Sequence, residues 1–426
     1  MRKLSFAMAV MVSTIAIASS VRAQAPPKAT DFPAPKPAFP GQTNAPAPQK
    51  ASPPFTVDTV VGRLSSPWAM AFLLDGKMLI TERNGAMRIA TMDGVYSAPL
   101  AGVPGVKVVA AQSLHDVVLD PHFAQNRLIY FSYFAPPPGE DPAVWPNAFF
   151  YAKETDLPLA ERRTKSIGTE RVARARLSDD EKSLENVQVL LDGGDRRIVF
   201  APDGTLYVTG ADRFRFYDSK MDSTTHEVTD PDILRNFTGR VARINPDGSI
   251  PKDNPFLGQA TVLPETFSYG HRDPEGAAIN PATGEHWMDE HGPLGGDEIN
   301  IIRAGKDYGW PNVSYGRQYS GDLVGTGAHV KEGTEQPIYF WYPDIGPCGM
   351  MFYTGDMFPE WKGNLFIGAL YGKFLVRLVL DGNRVVAEEH LLVDLAQRIR
   401  GVQQGPDGSV YVITDAGNIL RLTPKK

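Results

Sequence analysis

Residues 407–414 read DGSVYVIT, a Gly turn followed by a short run of β-formers that closes on Thr. The same arrangement stands at 75–81 (DGKMLIT), 125–132 (QNRLIYFS), 203–209 (DGTLYVT), 283–288 (TGEHWM) and 362–368 (KGNLFIG). Short β-rich runs entered through Gly or Asn turns predict antiparallel hairpins. Six copies, irregularly spaced but roughly 60 residues apart, predict an all-β chain folded as a six-bladed β-propeller. Residues 55–61 (FTVDTVV) alternate apolar and polar and supply a strand to close the ring against a C-terminal blade ending at Leu422. Closure of that kind removes the free sheet edges that invite aggregation.

Outside residues 55–426, which the repeats assign to the propeller, the composition changes. Arg2 and Lys3, the apolar run from Leu4 to Ile17 and the small-residue site Val21-Arg22-Ala23 predict a secretory signal peptide over 1–23. Its removal would leave 40 basic against 49 acidic residues, a net charge near −9, and an exported chain in the periplasm or outside the cell. That balance argues against nucleic acid or an anionic membrane as partner, and no later run is long and apolar enough to span a bilayer. Residues 24–54, rich in Pro and Ala, read as an extended, poorly ordered linker. The stretch from Ala135 to about Ile167 is too long for an ordinary hairpin loop. Its Trp145, Phe149, Phe150 and Tyr151 suggest a packed lid on one face. Cys348 is the single cysteine, so no disulfide framework exists, and it reads as buried filler.

The segment Tyr269–Pro311 gathers Arg272 with four acids, Asp289, Glu290, Asp297 and Glu298, between short strands. Clustered carboxylates repel, so they call for a counter-charge: either the guanidinium of Arg272 or a hard cation such as Ca²⁺ with oxygen ligands. A solvated acidic turn is the competing reading.

Taken in order, PWAMAFLLDGKMLITERNG (67–85), DVVLDPHFAQNRLIYFSY (116–133), GRVARINPDGSIPKDNPF (239–256), the 269–311 segment, CGMMFYTGDMFPEWKGNLFIGAL (348–370) and RIRGVQQGPDGSVYVITD (398–415) resemble the soluble quinoprotein aldose sugar dehydrogenases, or glucose/sorbosone dehydrogenase-like proteins. The YGHRxPxG, HGPxGGDEIN and YGWP signatures are the specific part. The resemblance implies a six-bladed propeller that binds pyrroloquinoline quinone (PQQ) and Ca²⁺ on its axial face. It also implies oxidation of the anomeric hydroxyl of an aldose in the periplasm, with electrons passed to an acceptor the sequence does not specify. Carried over by motif, Arg272, Arg398 and Arg400 would face cofactor carboxylates, for which Arg forks are suited. The carbonyls of Gly292 and Pro293 would hold a Ca²⁺ that polarises the quinone. Glu298 and the carbonyl of Tyr308 would hold a second, structural Ca²⁺.

Three departures from the family pattern fall on the presumed active face. The family places a base His shortly before a GGR-φ-V-F strand; in DGGDRRIVF (192–200) Gly193 takes that place. AAQSLHDVVLDP (110–121) replaces a Gln-Gly-Gly-Leu-Leu run, so Gln112 becomes a shifted cofactor contact and His115 is new. Asp273 stands where Asn is usual, beside an anionic cofactor. Candidate replacement bases are His115, which titrates in a useful range, and Asp195, if burial raises it against Arg196 and Arg197. His271 and His291 read as loop-orienting residues. Three functions follow: a PQQ- and Ca²⁺-dependent sugar or alcohol dehydrogenase, a non-catalytic propeller binding a carbohydrate or other ligand, and a Ca²⁺-dependent lactonase.

Overall fold

A computed structural model describes residues 26–108, 113–137, 139, 169–194, 196–212 and 239–425. After β1 (Phe55–Val61), blade one holds β2 (Pro67–Phe72), β3 (Met78–Glu82) and β4 (Met87–Ala90). Blade two holds β5 (Leu114–Leu119), β6 (Leu128–Ala135), β7 (Thr169–Leu177) and β8 (Leu184–Asp192). Blade three holds β9 (Ile198–Phe200), β10 (Leu206–Gly210), β11 (Arg240–Ile244) and β12 (Thr266–Tyr269). Blade four holds β13 (Pro274–Ile279), β14 (His286–Glu290), β15 (Asp297–Ile302) and β16 (Tyr339–Trp341). Blade five holds β17 (Pro347–Phe352), β18 (Leu365–Ala369), β19 (Leu375–Asp381) and β20 (Arg384–Leu391). Blade six holds β21 (Ile399–Gln404), β22 (Val410–Thr414) and β23 (Asn418–Pro424), completed by β1.

Each of the six repeats forms the second strand of its blade: β3, β6, β10, β14, β18 and β22. The turn before each run is the hairpin that returns the chain from the innermost strand. The predicted six-bladed propeller is therefore the fold, and the closing strand is where the alternation of 55–61 puts it. β1 pairs antiparallel with β23, Val57 opposite Leu422. Six apolar clusters fill the six blade-to-blade interfaces in turn, from the blade one–two cluster around Trp68, Leu114 and Phe131 to the blade six–one cluster around Met70, Ile80 and Ile413. Among the described residues each seam of the ring is packed.

The Pro/Ala segment differs from the loose linker its composition suggests. Residues 26–54 are extended but pinned along blades four to six. Gln42 is fully buried, its amide donating to the Pro337 carbonyl and its backbone carbonyl accepting from Phe340. Tyr342 donates to the Ala29 carbonyl, Ala45 to the Tyr339 hydroxyl and Ser52 to Glu389. Composition reports a missing apolar periodicity; it does not report backbone groups satisfied by another chain segment. The predicted signal peptide (1–23) and most of the 135–167 insertion lie outside the described residues. The flanking Ala135 and Thr169 pair across β6 and β7. No helix among the described residues is long and apolar enough to cross a membrane.

The innermost strands β2, β5, β9, β13, β17 and β21 line the axis, and one residue joins them. Arg197, just before β9, donates to the Glu275 carbonyl on β13 (2.7 Å), the Arg400 carbonyl on β21 (3.1 Å) and Asp116 on β5 (3.4 Å). Its guanidinium approaches Cys348 Sγ on β17 (3.7 Å) and lies 3.9 Å from the Trp68 ring centroid on β2. Asp116 is tied in a second time by the Ile198 amide (2.8 Å). Truncating one partner of a buried charge network strands the other, at a cost of about 3–5 kcal/mol. Arg197→Met should therefore lower the unfolding free energy in urea by about that amount. A loss under about 1 kcal/mol would show that the axial network does not hold the ring.

Candidate active site

All innermost strands run the same way, so their first residues share one face of the propeller. That face carries Trp68, His115, Arg196, Arg272, Asp273 and Arg398 at the starts of strands, with Arg83, His291 and Asp415 just past the ends of second strands. Arg272 is buried. It donates to the Tyr319 hydroxyl (3.0 Å) and the His291 carbonyl (3.3 Å) and pairs with Asp273 (3.5 Å). Burial alone would lower its pKa, but Tyr319 and Asp273 outweigh burial and raise it, so the guanidinium stays charged.

Asp273 is the focus of three bases. Arg196 reaches its Oδ1 at 3.2 Å; Arg272 and His291 reach Oδ2 at 3.5 and 3.8 Å. Burial raises its pKa, but the three neighbours, Arg196 foremost, win and hold it below the ordinary range. Arg196 also lies 3.5 Å from Glu275, whose carboxyl burial raises and Arg196 then depresses. Across the axis, Asp415 accepts from Arg398 (2.8 Å) and from both ends of Arg400 (2.6 and 3.0 Å). Burial pushes Asp415 up, and the two arginines pull it below the ordinary value. Arg83 sits close enough to Arg400 and Arg196 to feel both; burial and then that repulsion lower it to about 10. The face thus sets Arg83, Arg196, Arg272, Arg398 and Arg400 against Asp273, Glu275 and Asp415. Five guanidiniums gathered on one face, in a chain of net charge −6, suit a polyanion.

The acidic segment folds into a second feature beside Arg272. A cavity of about 20 Å³ is lined by Gly292, Pro293, Glu298, Tyr308, Glu290 and Arg272, among others. All four predicted metal-site residues meet there. Two close approaches require glycines: a Cβ on Gly292 would lie 2.1 Å from the Gly295 carbonyl oxygen, and one on Gly296 2.4 Å from the Gly316 amide. Tyr308 spends its hydroxyl on the Ile301 carbonyl (2.6 Å) and the Arg303 amide (2.9 Å), leaving its carbonyl. Glu290 accepts from the Arg272 amide (2.7 Å) and shares the Asn300 amide group with Glu298. Burial, then repulsion from Glu290, drives Glu298 well above its ordinary pKa, and Asn300 Oδ1 is buried without a partner. Two repelling carboxylates, Glu290 and Glu298, on the wall of an ion-sized void, with an orphaned carbonyl oxygen on the Asn300 side chain that bonds both, are the donor chemistry of a hard cation. The solvated acidic turn is not what forms: Asp289, Glu290 and Asp297 are all buried.

The structure thus brings Arg272 and Asp273 together with Gly292, Pro293, Glu298 and Tyr308, and sets Arg398 and Arg400 on Asp415. His115 is fully buried, its ring 5.0 Å from Trp68 and its carbonyl accepting from Thr81. Gln112 and Asp195 lie outside the described residues. His291 donates from Nε2 to the Pro347 carbonyl (2.8 Å), which ties the Gly292–Pro293 loop to β17. Sequence reasoning missed Arg83, Tyr319 and Asp415. The first and last stand inside quoted motifs (TERNG and VYVITD), but nothing in their spacing signals a shared face.

The chain is thus a six-bladed propeller with five arginines on its axial face and a small void beside Arg272. The glucose/sorbosone dehydrogenase family pattern matches residues 64–421, and the chain belongs to that family. It is 36% identical over 382 residues to the aldose sugar dehydrogenase YliI of Escherichia coli, covering 87% of this chain and 93% of the relative. It is 26% identical over 430 residues to quinoprotein glucose dehydrogenase B of Acinetobacter calcoaceticus, covering 86% and 87%. The crystal structure of the soluble aldose sugar dehydrogenase from Escherichia coli in its apo form superposes with a TM-score of 0.75 at 34% identity, over 87% of this chain and 100% of that one.

If Glu298 is a cation ligand, Glu298→Gln should cut the rise in Tm that Ca²⁺ gives over EDTA-treated protein to the share contributed by the cation at Gly292 and Pro293. For a site at 100 times its Kd that rise reflects about 2.7 kcal/mol. A full Ca²⁺-dependent rise in the variant would remove Glu298 from the site.

Proposed function

We propose that this protein is an exported, PQQ-dependent and Ca²⁺-assisted dehydrogenase that oxidises the anomeric hydroxyl of an aldose or a related alcohol. The single observation that carries the reading is the set of buried or ion-paired arginines Arg272, Arg398 and Arg400 on one face, with Arg272 on the wall of the void that Glu298 also lines. A tricarboxylate needs fixed positive forks, and a polarising cation needs oxygen donors next to them. The family membership and the quinoprotein relative support the same cofactor class.

When bound, PQQ supplies the two-electron acceptor for the hydride leaving the sugar carbon, and Ca²⁺ polarises its quinone. The residues of this chain do the rest. Arg272, fixed by Tyr319 and the His291 carbonyl, would hold one carboxylate without reorganisation, and Arg398 and Arg400, aligned by Asp415, would hold others. Gly292 and Pro293 would present carbonyls to the catalytic cation; Glu298 and Tyr308 would hold a structural one. Two residues compete for the base that takes the hydroxyl proton: His115, buried against Trp68, and Asp195, next to Arg196. Gly193, where the family pattern has His, supplies no such group. That absence is the observation that favours the second reading, a non-catalytic propeller binding a carbohydrate or other ligand. The lactonase reading asks for a cation held by several side-chain carboxylates; among the described residues no group of three or more His, Cys, Asp or Glu is so arranged.

The test is purified protein incubated with PQQ and Ca²⁺ and given a panel of aldoses with a dye acceptor. Aldose-dependent dye reduction is expected, and His115→Ala should abolish it if His115 is the base; retained turnover passes the role to Asp195. Tight PQQ binding without turnover of any sugar would favour the binding protein, and no PQQ binding would remove the dehydrogenase reading.

A further inference from the structure

One departure noted in the sequence, Asp273, forms a structural unit with Arg196. Their side chains come from segments 77 residues apart and meet at 3.2 Å, where Arg196 is 5% and Asp273 23% exposed. Asp273 Oδ2 simultaneously faces the guanidinium of Arg272 at 3.5 Å. One carboxylate is therefore shared by two arginines, and only Arg272 also projects toward Tyr319 and the His291 carbonyl at the edge of the small cavity.

An anionic ligand that pairs with Arg272 has to compete with Asp273 for the same donors. How strongly Asp273 competes depends on what else satisfies it. With Arg196 in place, Oδ1 has its own charged donor and the carboxylate is held away from a fork-to-fork pair with Arg272. Without Arg196, the nearest cation left to Asp273 is Arg272, 3.5 Å away, and a bidentate Arg–carboxylate pair would close across the donors the ligand needs.

We propose that Arg196 is a positioning residue that holds Asp273 off Arg272 and so keeps Arg272 available to a carboxylate of the bound cofactor. The inference rests on the function proposed above for Arg272. It assigns to Arg196 a role that its distance from the reacting atoms would not suggest, and it makes Asp273 an attenuator of anion affinity rather than a ligand contact.

The two residues make a double-mutant cycle. Loss of a nearby positive charge weakens any anion, and loss of a negative one strengthens it, but two long-range effects of that kind add. Competition for Arg272 does not add. PQQ affinity in the presence of Ca²⁺ is measured by fluorescence titration for wild type, Arg196→Gln, Asp273→Asn and the double variant, with citrate as an independent tricarboxylate probe. Arg196→Gln should weaken PQQ by about tenfold, and in the Asp273→Asn background the same change should cost less than about twofold. Arg196→Lys, which keeps a cation beside Oδ1 should Arg196→Gln fail to fold, should stay within about threefold of wild type. Equal losses from Arg196→Gln in both backgrounds, or a tenfold loss in Arg196→Lys, would overturn the proposal. Wild type that binds neither PQQ nor citrate would instead remove the function assigned to Arg272. Binding of citrate but not PQQ would remove the cofactor alone, and the cycle would then be read with citrate.

Discussion

Everything on the active face hangs from Arg197. A propeller's innermost strands have backbone groups on their outer side paired with the next strand, but side chains at the axis have no regular partner. Here one guanidinium, just before the innermost strand of blade three, makes a hydrogen bond, an ion pair, a thiol contact or a ring contact to each of the other five innermost strands. Because Arg is planar and always charged, it can serve several acceptors in fixed directions without titrating. The cost is a buried charge, met by Asp116, whose own pKa burial raises despite Arg197.

The consequence for function is positional. Arg197 takes the carbonyl of Glu275, two residues from Asp273, and the carbonyl of Arg400, whose side chain is fixed by Asp415. It lies against Trp68, on whose other contacts the His115 ring depends. One network thus sets the relative placement of three blades' worth of charged side chains. A tricarboxylate ligand demands such rigidity, since donors that must move to meet each carboxylate give back the affinity they supply. Below Arg197, a cavity of about 240 Å³ lined by Met70, Val118, Phe200 and Val402 continues along the axis toward the opposite face. The guanidinium forms part of the wall of that cavity.

The fold was legible because its unit is local. A Gly or Asn turn followed by Leu, Ile, Val and Tyr dictates a hairpin on its own, and β3, β10 and β22 stand where DGKMLIT, DGTLYVT and DGSVYVIT put them. Closure by β1 was legible from alternation alone. The candidate site was legible within motifs, as with Arg272, Gly292, Pro293 and Glu298 in a stretch of 43 residues and Arg398 and Arg400 in RIR. Contacts that cross the axis were not. Nothing near Asp273 in sequence announces Arg196, and Asp415 follows a β-run that reads as pure scaffold. The linker misled for a related reason: Gln42 and Ser52 are held by Pro337 and Glu389, partners far along the chain.

The central claim is that the arginine face and the oxygen-lined void are two halves of one cofactor site. A crystal structure of the protein grown with PQQ and Ca²⁺ tests it most directly. The account predicts a flat tricarboxylate lying over the axis with carboxylates on Arg272 and on Arg398 or Arg400, and an ion in contact with the carbonyls of Gly292 and Pro293. A cofactor bound away from Arg272, or Ca²⁺ coordinated elsewhere on the molecule with the 292–298 loop empty, would contradict it.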